Sequence, residues 1–279
     1  MDSNLNTYSG ITAIILAGSR PGGDPLAQAM GAPVKALIPV AGQVMLAHVA
    51  QTLATHPRIA RILVLAQQTD MLSGHPDMAW ATTDVRIGFV TSGSGISSSL
   101  SAVLNDGKAR YPVLVTTADN VLLNHAMLDS FLTGSDGADL AVAMVEQRVL
   151  LAAFPRSRRT WLKFRGGAWS GANLFWLGNG QVKPLLDLWQ GVEQDRKKGM
   201  KIVGAFGPLL LLGALLRLLD IHQAVARAGR RFGLAARVVA MPQAEACIDV
   251  DKMDDLDLAE RILAGQIRPH SSSTVQSGP

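Results

Sequence analysis

Ile11-Thr-Ala-Ile-Ile-Leu-Ala-Gly-Ser-Arg-Pro-Gly-Gly23 decides the fold: an apolar run of strand length breaks directly into a glycine-rich turn. A continuous apolar run, without polar alternation, reads as a strand buried on both faces, as in a parallel sheet between two helical layers. The pattern returns downstream. Arg61-Ile-Leu-Val-Leu-Ala66 and Tyr111-Pro-Val-Leu-Val-Thr-Thr117 are strands, Val85 to Val90 is a weaker one, and Asp139 to Val145 is another. Met45 to Ala54 reads as a helix with Leu46, Val49, Ala50 and Leu53 on one face. Ser97 to Leu104 reads as a second, opened by serines whose hydroxyls suit free backbone N–H groups. Strands alternating with helices predict an α/β fold with a mixed, mainly parallel, Rossmann-like sheet flanked by helices. In such sheets ligands bind beyond the carboxyl ends of the strands. The polar residues just after each strand therefore carry the functional argument.

Composition narrows the alternatives. Of 279 residues, 48% are hydrophobic and 17% charged, the charged share lying well below the usual ~25%. That excludes a disordered chain and a coiled coil, and it supplies a large core. The net charge of +4 is too small to imply nucleic acid by itself, and no nucleic-acid-binding module is present. One cysteine, Cys247, excludes an internal disulfide and suits a reducing compartment; it reads as a small buried hydrophobe rather than a reactive thiol. The first ten residues lack the basic region of a signal peptide, and Ile202 to Leu216 is shorter than the ~20 residues a bilayer span needs, so a cytoplasmic protein is expected.

Beyond Glu146 the alternation weakens. Arg148 to Gly171 reads as loops, Leu174 to Leu177 as a strand, Val182 to Glu193 as a helix, Arg237 to Met241 as a strand and Asp254 to Leu263 as a closing helix. Residues 206–219, Phe-Gly-Pro-Leu-Leu-Leu-Leu-Gly-Ala-Leu-Leu-Arg-Leu-Leu, are apolar all round; a buried or homodimer-interface helix is the first reading and peripheral membrane contact the second. The sequence predicts one domain over 1–268, dividing at about residue 147, and a disordered tail over 269–279.

Charge is unevenly placed. Residues 148–201 hold eleven basic and three acidic residues, a surplus of +8, which leaves −4 for the rest of the chain. Four of the five tryptophans fall in the same stretch: Trp176 and Trp189 read as core, Trp161 and Trp169 as lining a ligand pocket or sitting at a lipid interface. The turn after the first strand, Leu16-Ala-Gly-Ser19, offers backbone N–H groups to an anion, although it matches neither the P-loop nor the dinucleotide fingerprint. Lys35 is the only lysine in the first 107 residues.

Taken together, Leu16-Ala-Gly-Ser-Arg20, Met30-Gly-Ala-Pro-Val-Lys35, Thr91-Ser-Gly-Ser-Gly95 with the serine-led helix, Leu114-Val-Thr-Thr-Ala-Asp119, Gly166-Gly-Ala-Trp-Ser-Gly-Ala-Asn173 and Ile248-Asp-Val-Asp251 resemble, in order, the motifs of the MobA-like and sugar-phosphate nucleotidyltransferases. The sequence departs from that pattern at Ser19, where a second glycine is usual, and at Ala29, where an arginine is usual; Arg20 stands as its replacement. The resemblance covers about Ile11 to Leu263 and implies a GT-A-type fold, with 11–147 the nucleotide-binding half and 148–268 the acceptor-binding half. It implies transfer of a nucleotidyl group from an NTP, CTP or GTP, to a phosphorylated small molecule, with release of pyrophosphate.

The same resemblance assigns roles. Lys35 and Arg20 are the catalytic cations that balance charge on the triphosphate. Leu16, Ala17, Gly18, Ser19, Gly93, Gly95 and Ser99 bind the nucleotide, and Ser97 to Ser99 fit a cytosine or a guanine edge alike. Asp119 and Asp251 hold Mg2+, which takes hard oxygen ligands; Asp249 reads equally as a metal ligand or a structural carboxylate. Lys163, Arg165, Gly171 and Asn173 bind the acceptor. A glycosyltransferase of the same architecture and a catalytically silent nucleotide-binding protein are the competing expectations.

Overall fold

In the computed structural model of the protein, residues 10–19, 22–93, 95–194 and 218–267 are described. Arg20, the apolar run up to residue 217 and the tail over 269–279 lie outside them. The strands are β1 (Ile11–Leu16), β2 (Pro39–Val40), β3 (Gln43–Val44), β4 (Ile59–Ala66), β5 (Ile87–Thr91), β6 (Val113–Thr117), β7 (Leu140–Glu146), β8 (Leu162–Phe164), β9 (Gly167–Leu177) and β10 (Ala236–Ala240). The helices are α1 (Pro25–Ala29), α2 (Met45–Thr55), α3 (Thr69–Ser73), α4 (Ala79–Thr83), α5 (Ile96–Asn105), α6 (His125–Gly134), α7 (Gln147–Ala153), α8 (Lys183–Gln194), α9 (Ile221–Arg230) and α10 (Met253–Leu263).

The main sheet runs β10-β7-β9-β6-β1-β4-β5, with β8 paired to β9. β6, β1, β4 and β5 are mutually parallel, as are β10 and β7, while β9 lies antiparallel between β6 and β7. Successive strand residues point to opposite faces, and the core divides accordingly. Ala13 and Ile15 of β1, with Ile62 and Val64 of β4 and Leu114 of β6, enter one cluster with residues of α2 and α6. Ile14, Leu63, Leu65, Val113 and Val115 enter the other, with Leu100 of α5 and Leu186 of α8. This two-sided burial explains why β1, β4 and β6 read as unbroken apolar runs.

The stretch expected to be loops is structured. Residues 147–153 form α7, and Leu162–Phe164 and Gly167–Leu177 form a hairpin whose turn carries Gly166 at φ 87°. Only the end of the 11-residue β9 was legible as a strand, because its first half is glycine- and alanine-rich and gains order from pairing with β7 and β8. Trp176 is buried as expected, donating its Nε1–H to Ala138 O at 3.2 Å, but Trp189, read as core, is exposed. Trp161 packs against the core and Trp169 meets His222 edge to face.

β9 leaves the sheet at Gly178, where an added Cβ would lie 2.3 Å from Ala138 O. Gly178→Ala is expected to force β7 and β9 apart and destabilise the fold by about 1–3 kcal/mol, read as a lower urea midpoint with an unchanged slope.

Candidate active site

Because β1, β4, β5 and β6 are parallel, their carboxyl ends share one edge of the sheet. Backbone bonds knit the turn after β1 to both neighbours: Ala17 N–H donates to Leu65 O at 2.9 Å, and Ala118 N–H donates to Leu16 O at 3.0 Å. Gln67, the first residue after β4, ties the loops after β1 and β5 together. Its Oε1 accepts from Ser19 N–H at 2.9 Å and its Nε2 donates to Gly93 O at 3.3 Å. A Cβ at Gly18 would meet that same amide at 3.0 Å, so glycine lets the loop close on Gln67. Gly95 caps α5, and its carbonyl accepts from Ser98 Oγ at 3.0 Å and Ser99 Oγ at 2.6 Å.

Lys35 opens a short 3-10 turn, Lys35–Leu37, anchored by buried Ala36 and Leu37. Its Nζ lies 2.6 Å from Asp119 Oδ2 and also donates to Asp251 Oδ1. Burial works against the ammonium, but Asp119 and Asp251 outweigh it and hold the Lys35 pKa above its ordinary value, so the group is fully charged at neutral pH. Asp119 follows β6 by two residues. It caps no helix: Asn124 is the N-cap of α6. Its Oδ1 is buried without a hydrogen-bond partner, an arrangement that costs free energy unless something else satisfies the oxygen.

Val250 N–H donates to Asp119 O at 3.1 Å and so lays the 249–251 segment alongside the end of β6. One oxygen each of Asp119, Asp249 and Asp251 lies within 4.8 Å of the others. Three carboxylates, one with an orphaned buried oxygen, make a donor set suited to a hard divalent cation. Asp249 is also a structural carboxylate. Arg159 Nη1 meets its Oδ1 at 2.6 Å, and Asn173 Nδ2 donates to its Oδ2 at 3.3 Å. Burial pushes the Asp249 pKa up against the pull of Arg159, with Asp251 and Asp119 adding to the rise.

Asn173 reaches Asp249 because β9 is irregular. Its pairing with β7 shifts register between Val142 and Met144, and Asn173 sits there at φ 48°, a left-handed conformation that asparagine tolerates better than most residues. The structure thus gathers Lys35, Asp119, Asp251 and Asn173 with Asp249, beside the Leu16–Ser19 turn. Gly171 lies exposed on β9 opposite Met144. Lys163 is exposed on β8, and Arg165 directs its guanidinium to Gln223 at 3.2 Å and Asp220 at 3.6 Å. Cys247 is buried, and desolvation pushes its thiol up to about 12, as befits an inert side chain.

Sequence reasoning missed Gln67 and Arg159. Gln67 had a usable signal, being the polar residue directly after a strand. Arg159, one arginine among several, had none.

A parallel-centred sheet with a glycine turn, a lysine and acidic groups at its carboxyl edge defines the class of α/β proteins that bind ligands there. The family model of the MobA-like NTP transferase domain matches residues 13–196, and the chain belongs to that family; it is a nucleotidyltransferase. Asp249 and Asp251 lie beyond the matched stretch. Among solved structures, a hypothetical transferase from Thermus thermophilus is similar at 27% identity and a TM-score of 0.73, over 88% of this chain and 99% of that one. The 4-diphosphocytidyl-2C-methyl-D-erythritol synthase of Anaerococcus prevotii shares the fold at 12% identity and a TM-score of 0.56, over 91% of this chain and 96% of that one. No curated protein matches this sequence. Among the described residues, no helix is long and apolar enough to cross a membrane.

Proposed function

We propose that the protein transfers a nucleoside monophosphate from CTP or GTP to a phosphorylated small molecule and releases pyrophosphate, with Mg2+ as cofactor. The observation that carries this reading is the Lys35 ammonium seated between Asp119 and Asp251 at the edge where the nucleotide turn opens. In the reaction an acceptor phosphate oxygen forms a bond to the α-phosphorus while the bond from that phosphorus to the bridging oxygen of the β-phosphate breaks. Such transfers need positioning and charge balance more than covalent help from the protein.

Asp119 and Asp251, with Asp249 alongside, would hold Mg2+. The ion, when bound, neutralises phosphate charge. Lys35 supplies a second cation to the departing pyrophosphate, with Arg20 from the same turn as its partner in the proposal. Leu16 to Ser19 present backbone to the phosphates. Ser98 and Ser99 already give their hydroxyl hydrogens to Gly95 O, which leaves the half-buried Ser98 oxygen only the acceptor role toward a ligand. An acceptor suits a base that carries an exocyclic amino group and so disfavours UTP; the choice of CTP or GTP over ATP rests on the resemblance to the family. The half over 148–268 receives the acceptor, with Lys163, Arg165, Gly171 and Asn173 as its contacts, and the protein works in the cytoplasm.

A thermal-shift screen of CTP, GTP, UTP and ATP with Mg2+ tests the nucleotide choice. CTP or GTP is expected to raise Tm most, by the mass-action stabilisation of about 2.7 kcal/mol that ligand at 100 times Kd confers. A larger shift with UTP or ATP would refute the choice of base, and a larger shift with nucleotide sugars would favour a glycosyltransferase.

A further inference from the structure

Arg159 is held in an unusual place for a cation that faces no ligand. Its side chain is 8% exposed, and it forks across the 249–251 segment. Nη1 meets Asp249 Oδ1 at 2.6 Å and Asp249 O at 3.3 Å, while Nη2 meets Asp255 Oδ1 at 2.9 Å and Asp249 O at 3.4 Å. Asp255, in the first turn of α10, passes the constraint on: its Oδ2 accepts from Asp251 N–H at 3.3 Å. One guanidinium therefore fixes the side chain and carbonyl of Asp249 directly and the backbone of Asp251 through a single intermediary.

Burying a guanidinium is unfavourable unless its geometry is well satisfied, and here Nε finds no partner at all. A merely stabilising contact is met more cheaply by apolar packing. What apolar packing cannot do is hold two carboxylates close to a third, against their mutual repulsion, in an orientation open to a cation.

We infer that Arg159 is the positioning residue of the metal site, presetting the Asp249 and Asp251 carboxylates beside Asp119 without itself touching substrate. The inference rests on the Mg2+ reading above. The planar fork is essential, because a lysine keeps the charge but reaches Asp249 and Asp255 with a single point donor.

The test is Mn2+ binding to the purified protein, followed by the free-ion electron paramagnetic resonance signal, in the wild type, Arg159→Lys and Asp255→Ala. Loss of a group that orients metal ligands weakens metal binding by about 10–100-fold. Arg159→Lys is expected to fall in that range. Asp255→Ala, a change on a half-buried helix turn, is expected to weaken Mn2+ by a smaller factor while keeping the wild-type circular dichroism. An Arg159→Lys protein that melts earlier yet binds Mn2+ within twofold of the wild type would overturn the inference and leave the metal reading intact. Should Arg159→Lys fail to fold, unchanged Mn2+ affinity in Asp255→Ala overturns it equally. A wild type that binds no Mn2+ overturns both.

Discussion

Asp119→Ala is expected to lower nucleotidyl transfer by at least about 10³-fold in kcat/KM, equivalent to about 4 kcal/mol of transition-state stabilisation, while the protein stays folded. Three features set the size of this effect. Asp119 stands two residues past β6, at the edge where the four parallel carboxyl ends meet. Its Oδ1 is buried and unpartnered, and its Oδ2 accepts from the Lys35 ammonium at 2.6 Å. On the proposed function, removing the carboxylate therefore takes away a metal ligand and the group that orients Lys35 together. Its backbone carbonyl, which accepts from Val250 N–H, is untouched, so the 249–251 segment keeps that tether. Pyrophosphate release and melting temperature, measured on the same preparation, separate loss of chemistry from loss of fold. Wild-type activity in Asp119→Ala would remove the residue from the site.

Lys35→Met should produce two large effects of opposite sign. Transfer is expected to fall by about 10²–10³-fold, the usual scale for losing one preorganised charge at a developing anion. Metal affinity in the absence of nucleotide is expected to rise by about tenfold. In the free protein the Lys35 ammonium and a divalent ion compete for the same oxygens, since Nζ already bonds Asp119 Oδ2 and Asp251 Oδ1. Methionine keeps much of the stem volume and withdraws the competitor. Mn2+ binding reads the second effect directly, and it moves opposite to the loss expected for Arg159→Lys. A Lys35→Met protein with weaker Mn2+ binding would mean that the lysine supports the carboxylates rather than competing with the metal.

How much of this was legible in the sequence follows from where each feature draws its order. β1, β4 and β6 are buried on both faces, so their apolar runs announced them, and Asp119 was legible because it stands just past such a run. Lys35 stood out by isolation. Asp251 was legible through the order of motifs, and Asp249, which reads equally as a metal ligand or a structural carboxylate, lies in the carboxylate cluster and is held by Arg159 and Asn173. The β8–β9 hairpin was hidden because its glycines and tryptophans gain strand character only from neighbours β6 and β7, far away in sequence. Asn173 reads as a contact for the acceptor; its side chain meets Asp249, which depends on a register shift that no local pattern encodes. Arg159 meets its partners across 90 and 96 residues, a pairing made by the fold alone. The +8 surplus over 148–201 is also partly spent inside the protein. Arg148 pairs with Glu146, Arg159 with Asp249 and Asp255, and Arg165 with Asp220, so the surplus overstates the charge left for an acceptor.

The central claim is that the edge formed by Lys35, Asp119 and Asp251 joins a nucleotide to a phosphorylated acceptor. Its most direct test is pyrophosphate release from the four nucleoside triphosphates with Mg2+, with and without a panel of phosphorylated small molecules, products followed by phosphorus NMR. Release is expected to require an acceptor, match product one for one, favour CTP or GTP and disappear in Asp119→Ala. Nucleotide binding with no pyrophosphate from any acceptor, or release that persists undiminished in Asp119→Ala, would contradict it.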